Sequence, residues 1–167
     1  MLILYKLPFL DIEISTFTGF SSTVTSACYD YTEQYIFAGS LDRTAKLWDL
    51  KNSKLISSFI GHINYINAVA SGNTSQKGYT VSTDRSIREW DFSERKLIKV
   101  YNSSSGIWSI CLSSNDNNFY TGHLDGSFKI WSTNRNDKPE QIIELHNDKI
   151  ISIKQAKSEY QFLTLST

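Results

Sequence analysis

FAGSLDRTAKLWD (residues 37–49), YTVSTDRSIREWD (79–91) and YTGHLDGSFKIWS (120–132) are three versions of one string. In each, an aromatic (Phe37, Tyr79, Tyr120) leads to an aspartate (Asp42, Asp84, Asp125), and a tryptophan (Trp48, Trp90, Trp131) stands six residues further on. Successive copies are 42 and then 41 residues apart. Recurrence at a fixed period marks a chain built from copies of one supersecondary unit, each burying its faces against its neighbours. The copying extends upstream. EISTFTGF (13–20) lines up with LISSFIGH (55–62) at the same offset of 42, LIKVY (97–101) takes the corresponding place, and His146 lies 84 residues after His62.

Within each period, β-branched and aromatic runs alternate with Asn, Ser, Asp and Gly clusters, which predicts four short strands per unit. They fall at about 24–29, 34–39, 44–49 and 54–59, then 65–70, 77–82, 86–91 and 96–101, then 107–112, 117–122, 127–132 and 140–145. No window keeps helical spacing over several turns. Four strands in ~40–45 residues closing on Trp-Asp is the pattern of a β-propeller blade. The expected fold is therefore all-β, with about four blades' worth of four-stranded antiparallel sheets. Complete repeats are expected at about 18–59, 60–101 and 102–145, with half-blades in 1–17 and 146–167. LILYK (2–6) and EISTF (13–17) read as a third and an outer strand, and IISIKQ (150–155) and YQFLTLS (160–166) as an inner and a second strand. Either these halves pair and close a small ring, or the chain is part of a larger propeller; the second is the expectation. Open strand edges would then invite self-association.

The chain of 167 residues carries 17 basic and 17 acidic side chains, so no basic face argues for nucleic acid or an acidic membrane. The start, MLILYKLPFL, is interrupted by Lys6 and Pro8 and lacks a small-residue cleavage site, so a strand is expected rather than a signal segment. No apolar run approaches the ~20 residues needed to cross a bilayer. Two cysteines, Cys28 and Cys111, sit on apolar runs read as inner strands. Inert thiols in a reducing compartment are expected, with a disulfide left open. A cytosolic location follows as an expectation. His62, His123, His146, Cys28 and Cys111 include no pair at a metal-ligand spacing, and no phosphate-binding glycine loop occurs, so no metal or cofactor is expected.

His62, Asp84 and Thr80 supply an imidazole, a carboxylate and a hydroxyl, the parts of a nucleophilic triad. A hydrolase using them is one alternative reading, and a propeller fragment with no independent function is another. Gly61-His62, Trp48-Asp49 and Trp90-Asp91 give the chain a resemblance to the WD-repeat family over nearly its whole length. That resemblance implies a structural hydrogen-bond chain in place of a triad. Asp84 would accept from one imidazole nitrogen, Thr80 would donate to the other, and the Trp90 indole would donate to Thr80. The flanking copies are incomplete: Asp42 and Trp48 are present, but Phe20 replaces the histidine and Ala38 the hydroxyl. In the third, Thr121, Asp125 and Trp131 are present while Ser103 stands in the histidine's place. The second blade is thus expected to be the best fastened. Glu89, where the other copies have Leu47 and Ile130, has no explanation at this level.

The resemblance further implies a non-catalytic scaffold that binds other proteins or peptides on the rim carrying the turn aspartates. Position by position, that rim takes Thr23 and Thr25 in the first blade, Tyr65 and Asn67 in the second, and Trp108 in the third. Leu41, Arg43, Thr83, Arg85 and Leu124 flank the turn aspartates. Tyr, Trp and Arg dominate interface hot spots, which favours Tyr65, Trp108, Arg43 and Arg85. Arg43 and Arg85 recur at one blade position and could together hold an acidic or phosphorylated segment. The alternatives are that Trp108 fills space between blades and that the arginines are solvated turn residues. The order of blade variants is similar to that in the propeller of the autophagy-related protein 16 family: a Gly-Ser-Leu-Asp-Arg-Thr blade, then Leu-Ile-Lys before a serine-rich connection, then a Gly-His-Leu-Asp blade. It implies a scaffold directing ubiquitin-like protein conjugation onto autophagic membranes.

Overall fold

The computed structural model describes residues 2–4, 15–135, 137–156 and 161–167. Every regular element among them is a strand. Three four-stranded antiparallel sheets follow one another. The first blade holds β3 (Val24–Tyr29), β4 (Tyr35–Ser40), β5 (Thr44–Asp49) and β6 (Lys54–Ile60). The second holds β7 (Ile66–Ser71), β8 (Lys77–Ser82), β9 (Ser86–Asp91) and β10 (Lys96–Asn102). The third holds β11 (Ile107–Leu112), β12 (Asn118–His123), β13 (Ser127–Ser132) and β14 (Gln141–Glu144). Two two-stranded sheets flank them, β1 (Leu2–Leu4) with β2 (Ser15–Phe17) and β15 (Ile150–Gln155) with β16 (Phe162–Ser166). The inner strands β3, β7, β11 and β15 neighbour one another in that order, which gives the radial stacking of a partial β-propeller. Among the described residues the two half-sheets stay separate and are not joined into a fourth blade. The parts of the expected end strands at residues 5, 6, 13, 14 and 160 lie outside the described residues.

Two second strands, β4 and β12, end one residue later than the sequence suggested, while β8 ends at Ser82 as expected; Ser40, Ser82 and His123 each pair with the first residue of the inner strand, Val24, Ile66 and Ile107. Just after that pair the inner strand bulges. The extra residue is Thr25, Asn67, Trp108 and, in the half-blade, Ile151. A bulge re-aims its side chain out of the pleat. The Thr25 hydroxyl accordingly donates to the Ile66 carbonyl at 2.7 Å and the Asn67 amide to the Ile107 carbonyl at 2.7 Å, tying each inner strand to the next. In the third blade the neighbouring Ser109 makes this link, to Ile150 at 2.9 Å.

The core lies between blades. Each repeat's tryptophan meets the aromatic of the preceding outer strand: Trp48 and Phe17 at 5.8 Å between ring centres, Trp90 and Phe59 at 5.2 Å, Trp131 and Tyr101 at 6.1 Å. The backbones come close here. A Cβ on Gly39 would approach Ile66 to 2.5 Å and one on Gly122 would approach Ile150 to 2.6 Å, so both second strands need glycine where the next inner strand crosses.

Candidate functional site

The turns between second and third strands form one rim, each closed by a backbone bond: Arg43 to Ser40, Arg85 to Ser82 and Gly126 to His123, all at 3.2 Å. Each donor residue has positive φ, 73° at Arg43, 69° at Arg85 and 78° at Gly126. At Gly126 a Cβ would lie 2.0 Å from the His146 carbonyl oxygen, so glycine is required. At the other two positions an arginine occupies backbone that costs a side-chain-bearing residue about 1 kcal/mol or more. Both arginine side chains are exposed, and among the described residues neither guanidinium has a hydrogen-bond or ion-pair partner.

The turn aspartates cap these hairpins. Asp42 accepts from the Thr44 amide and hydroxyl at 2.9 and 2.6 Å and from the Ser21 amide at 2.9 Å. Asp125 accepts from the Ser127 amide and hydroxyl at 3.2 and 2.6 Å. Asp84 adds long-range partners: His62 Nδ1 lies at 2.8 Å and the Ile63 amide at 3.1 Å, beside Ser86. Burial would raise its pKa, but the bonds from His62 and Ser86 outweigh that and hold the carboxyl far below the ordinary range.

In the second blade His62 Nε2 is 2.7 Å from Thr80 Oγ1, and the Trp90 indole donates to the same oxygen at 3.0 Å. Thr80 is fully buried. With Nδ1–H donated to Asp84, Nε2 accepts the Thr80 proton and every group is satisfied. The cationic residue of the third strand lies nearby: the Arg88 guanidinium packs on Gly61, where a Cβ would meet Nη1 at 2.7 Å.

The first blade replaces this polar chain with an aromatic one. Phe20 packs edge-on against Trp48 at 5.3 Å, and Lys46 sits over the Phe20 ring at 5.4 Å while donating to Ser58 at 2.9 Å.

The third blade is fastened more fully than its missing histidine suggests, which narrows the expected advantage of the second. Trp131 donates to Thr121 at 2.7 Å, and Thr121 is 2.8 Å from Nε2 of His123. This imidazole comes from β12, two residues before Asp125, where the other copies have Ser40 and Ser82. Its Nδ1 faces the Ser105 carbonyl at 3.4 Å and the Ser103 hydroxyl at 3.3 Å. Burial, helped by the charge of Lys129, lowers its pKa to about 4. A histidine standing where two serines stand elsewhere was the signal in the sequence. His146, 2.8 Å from Thr164, repeats the second-blade arrangement in the half-blade β15–β16.

Glu89 has a structural reason. Its buried carboxylate accepts from Lys77 Nζ at 2.8 Å, the Tyr101 hydroxyl at 2.9 Å and the Tyr79 hydroxyl at 3.2 Å. Both tyrosine rings pack on Phe119 of the third blade, so this polar centre lies inside a blade interface. Burial first, and the Glu89 charge second, push both phenols far above their ordinary pKa.

Of the other rim residues, Tyr65 and Leu124 are about half exposed, at 52% and 49%, and Thr23 is exposed while its carbonyl holds the Leu41 amide at 2.9 Å. Leu41 and Thr83 are half-buried, and the Thr83 hydroxyl accepts from Asn67 at 3.0 Å. The polar groups of Thr25 and Asn67 are thus engaged between blades. Trp108 is partly buried, with Lys149 Nζ 4.4 Å over its ring and its indole N–H buried without a hydrogen-bond partner among the described residues. Cys28 and Cys111 are free thiols, and burial, with Asp30 adding to it, pushes Cys28 up to about 12. Among the described residues no cluster of His, Cys, Asp and Glu suits a metal ion, and no helix is long and apolar enough to cross a membrane.

The family described as WD domain, G-beta repeat matches residues 12–49, 53–91 and 95–132, each match closing at the end of a third strand. These matches cover more than half of the chain, which therefore belongs to the WD-repeat family. Proteins of this family typically serve as non-catalytic scaffolds that mediate interactions with other proteins. A search of curated proteins gave no match.

Proposed function

We propose that this chain is an interaction scaffold whose rim captures an acidic or phosphorylated segment of a partner protein through Arg43 and Arg85. The observation that carries the reading is the pair of unpartnered, exposed arginines held at positive φ, where glycine would relieve strain. Strained residues at equivalent turns point to a role for the side chain. Tyr65, Leu124 and Leu41 supply apolar contact beside them, with Thr23 and Thr83 at the margin. Trp108, Thr25 and Asn67 contribute chiefly by setting blade spacing. Catalysis by Thr80, His62 and Asp84 is disfavoured because the hydroxyl is buried and already bonded on both sides.

The test is titration of an acidic and phosphorylated peptide library, followed by sedimentation, against the wild type and the Arg43→Gly/Arg85→Gly double variant. The variant is expected to gain about 1 kcal/mol of stability or more and to lose binding by tenfold or more. Unchanged affinity would sink the assignment. Sedimentation also reports self-association, which exposed Leu163 and Leu165 on β16 make part of the same proposal.

At a finer level we place the scaffold in the cytosol and in autophagic conjugation of a ubiquitin-like protein to membranes. The support is the order of blade variants described above. Depleting the protein from cells should lower the lipid-conjugated form on immunoblots, and an unchanged level rules the pathway out.

A further inference from the structure

The third strand of every blade carries a cation at one position, Lys46, Arg88 and Lys129, beneath the connection from the preceding outer strand. What that connection offers differs from blade to blade. Lys46 lies under the Phe20 ring and donates to Ser58 of its own blade's outer strand; Arg88 lies on Gly61, next to the histidine that engages Asp84. Beneath the third connection, residues 103–106, Lys129 is 2% exposed and donates to Ser103 Oγ at 2.8 Å and Ser104 Oγ at 2.9 Å.

Among the described residues no carboxylate pairs with this ammonium. Asp125 and Glu144 favour its charge only from a distance, and burial outweighs them, lowering its pKa. An ammonium has three protons to donate, and two neutral hydroxyls compensate a buried charge poorly. The ammonium thus meets hydroxyls and no anion among the described residues, and Ser104, exposed to solvent, already has its oxygen in contact with the cation.

We propose that Ser104 is a phosphorylation site whose phosphate is held by Lys129, fastening the third blade's connection as His62 fastens the second. In a protein kinase, Ser104 Oγ attacks the γ-phosphorus of a nucleoside triphosphate. The Oγ–P bond forms as the bond to the bridging oxygen breaks, the hydroxyl proton passes to the kinase's base, and nucleoside diphosphate leaves. The product dianion takes the free ammonium proton in a charge-assisted bond. The neighbouring Ser103 amide is already bonded to the Arg85 carbonyl at 2.8 Å, so the connection is held to the second blade's turn, and the phosphate would tie it to β13 of the third.

The experiment uses the whole chain with phosphoserine encoded at Ser104, with phosphoserine at Ser22 as comparator, an exposed serine in the equivalent connection of the first blade. Phosphorus NMR titration reads the phosphate's second pKa, ordinarily about 6. At Ser104 it should fall by about half a unit or more below the Ser22 value, and Tm should rise by about 3–5 °C over the unmodified chain. Both effects should vanish in Lys129→Met, which keeps the side chain's length. Equal pKa values at the two sites, or a shift that survives Lys129→Met, overturns the proposal. If Lys129→Met does not fold, the comparison of Ser104 with Ser22 decides alone.

Discussion

Glu89→Ala is expected to destabilise the protein by about 3–5 kcal/mol in urea denaturation, whereas Glu89→Gln should cost only about 1–2 kcal/mol. Alanine would strand the Tyr79 and Tyr101 hydroxyls, which converge on one carboxylate between the second and third blades, and would release the partly exposed Lys77 ammonium to water. Two phenols sealed against Phe119 have no route to water, so each pays the desolvation of an unpaired donor. Glutamine keeps acceptor oxygen within reach and loses mainly the charge. An alanine variant as stable as the glutamine variant would show that water reaches this interface.

Acid should weaken the third blade well before its carboxylates titrate. His123 has a folded pKa of about 4 against an unfolded value of 6.5. Between those values the unfolded chain binds a proton that the folded chain refuses, so stability falls as pH falls. The contribution is complete above pH 6.5 and exhausted below pH 4, with a loss on the order of 3 kcal/mol. The lowered carboxyls of Asp42, Asp84, Asp116 and Asp125 act in a separate window, with the stability they contribute lost as pH drops below 3.8. Urea midpoints measured from pH 7 to pH 4 should therefore slope downward in the wild type and flatten in His123→Gln. A wild-type curve that is flat over this range would mean that the imidazole charges inside the fold.

The propeller architecture was legible because aspartate and tryptophan answer to their own repeat: the aspartate caps a hairpin formed by its neighbours, and the indole fills a seam that recurs at the same phase. The limits of β4, β7 and β12 slipped by one residue beside inner-strand bulges, which leave no trace in a polar-apolar pattern. Thr25 and Asn67 looked available for partners since nothing in a linear string places the carbonyls of Ile66 and Ile107 within their reach. His123 escaped for a related reason. Reading repeats position by position looks for an imidazole in the same column, while the third blade needs one only in the same space. Glu89 became intelligible once β8, β9 and β10 brought two phenols and a lysine to it.

The pairing of each indole with a ring on the preceding outer strand has a consequence for how such chains arise. A segment running from one outer strand to the next Trp, such as Phe59 to Trp90, contains both faces of one seam. Duplication or loss of a whole period by unequal recombination therefore carries intact junctions with it. A gene of this kind can change the number of its units without inventing a new interface, whereas a deletion of half a period exposes a ring that has no counterpart.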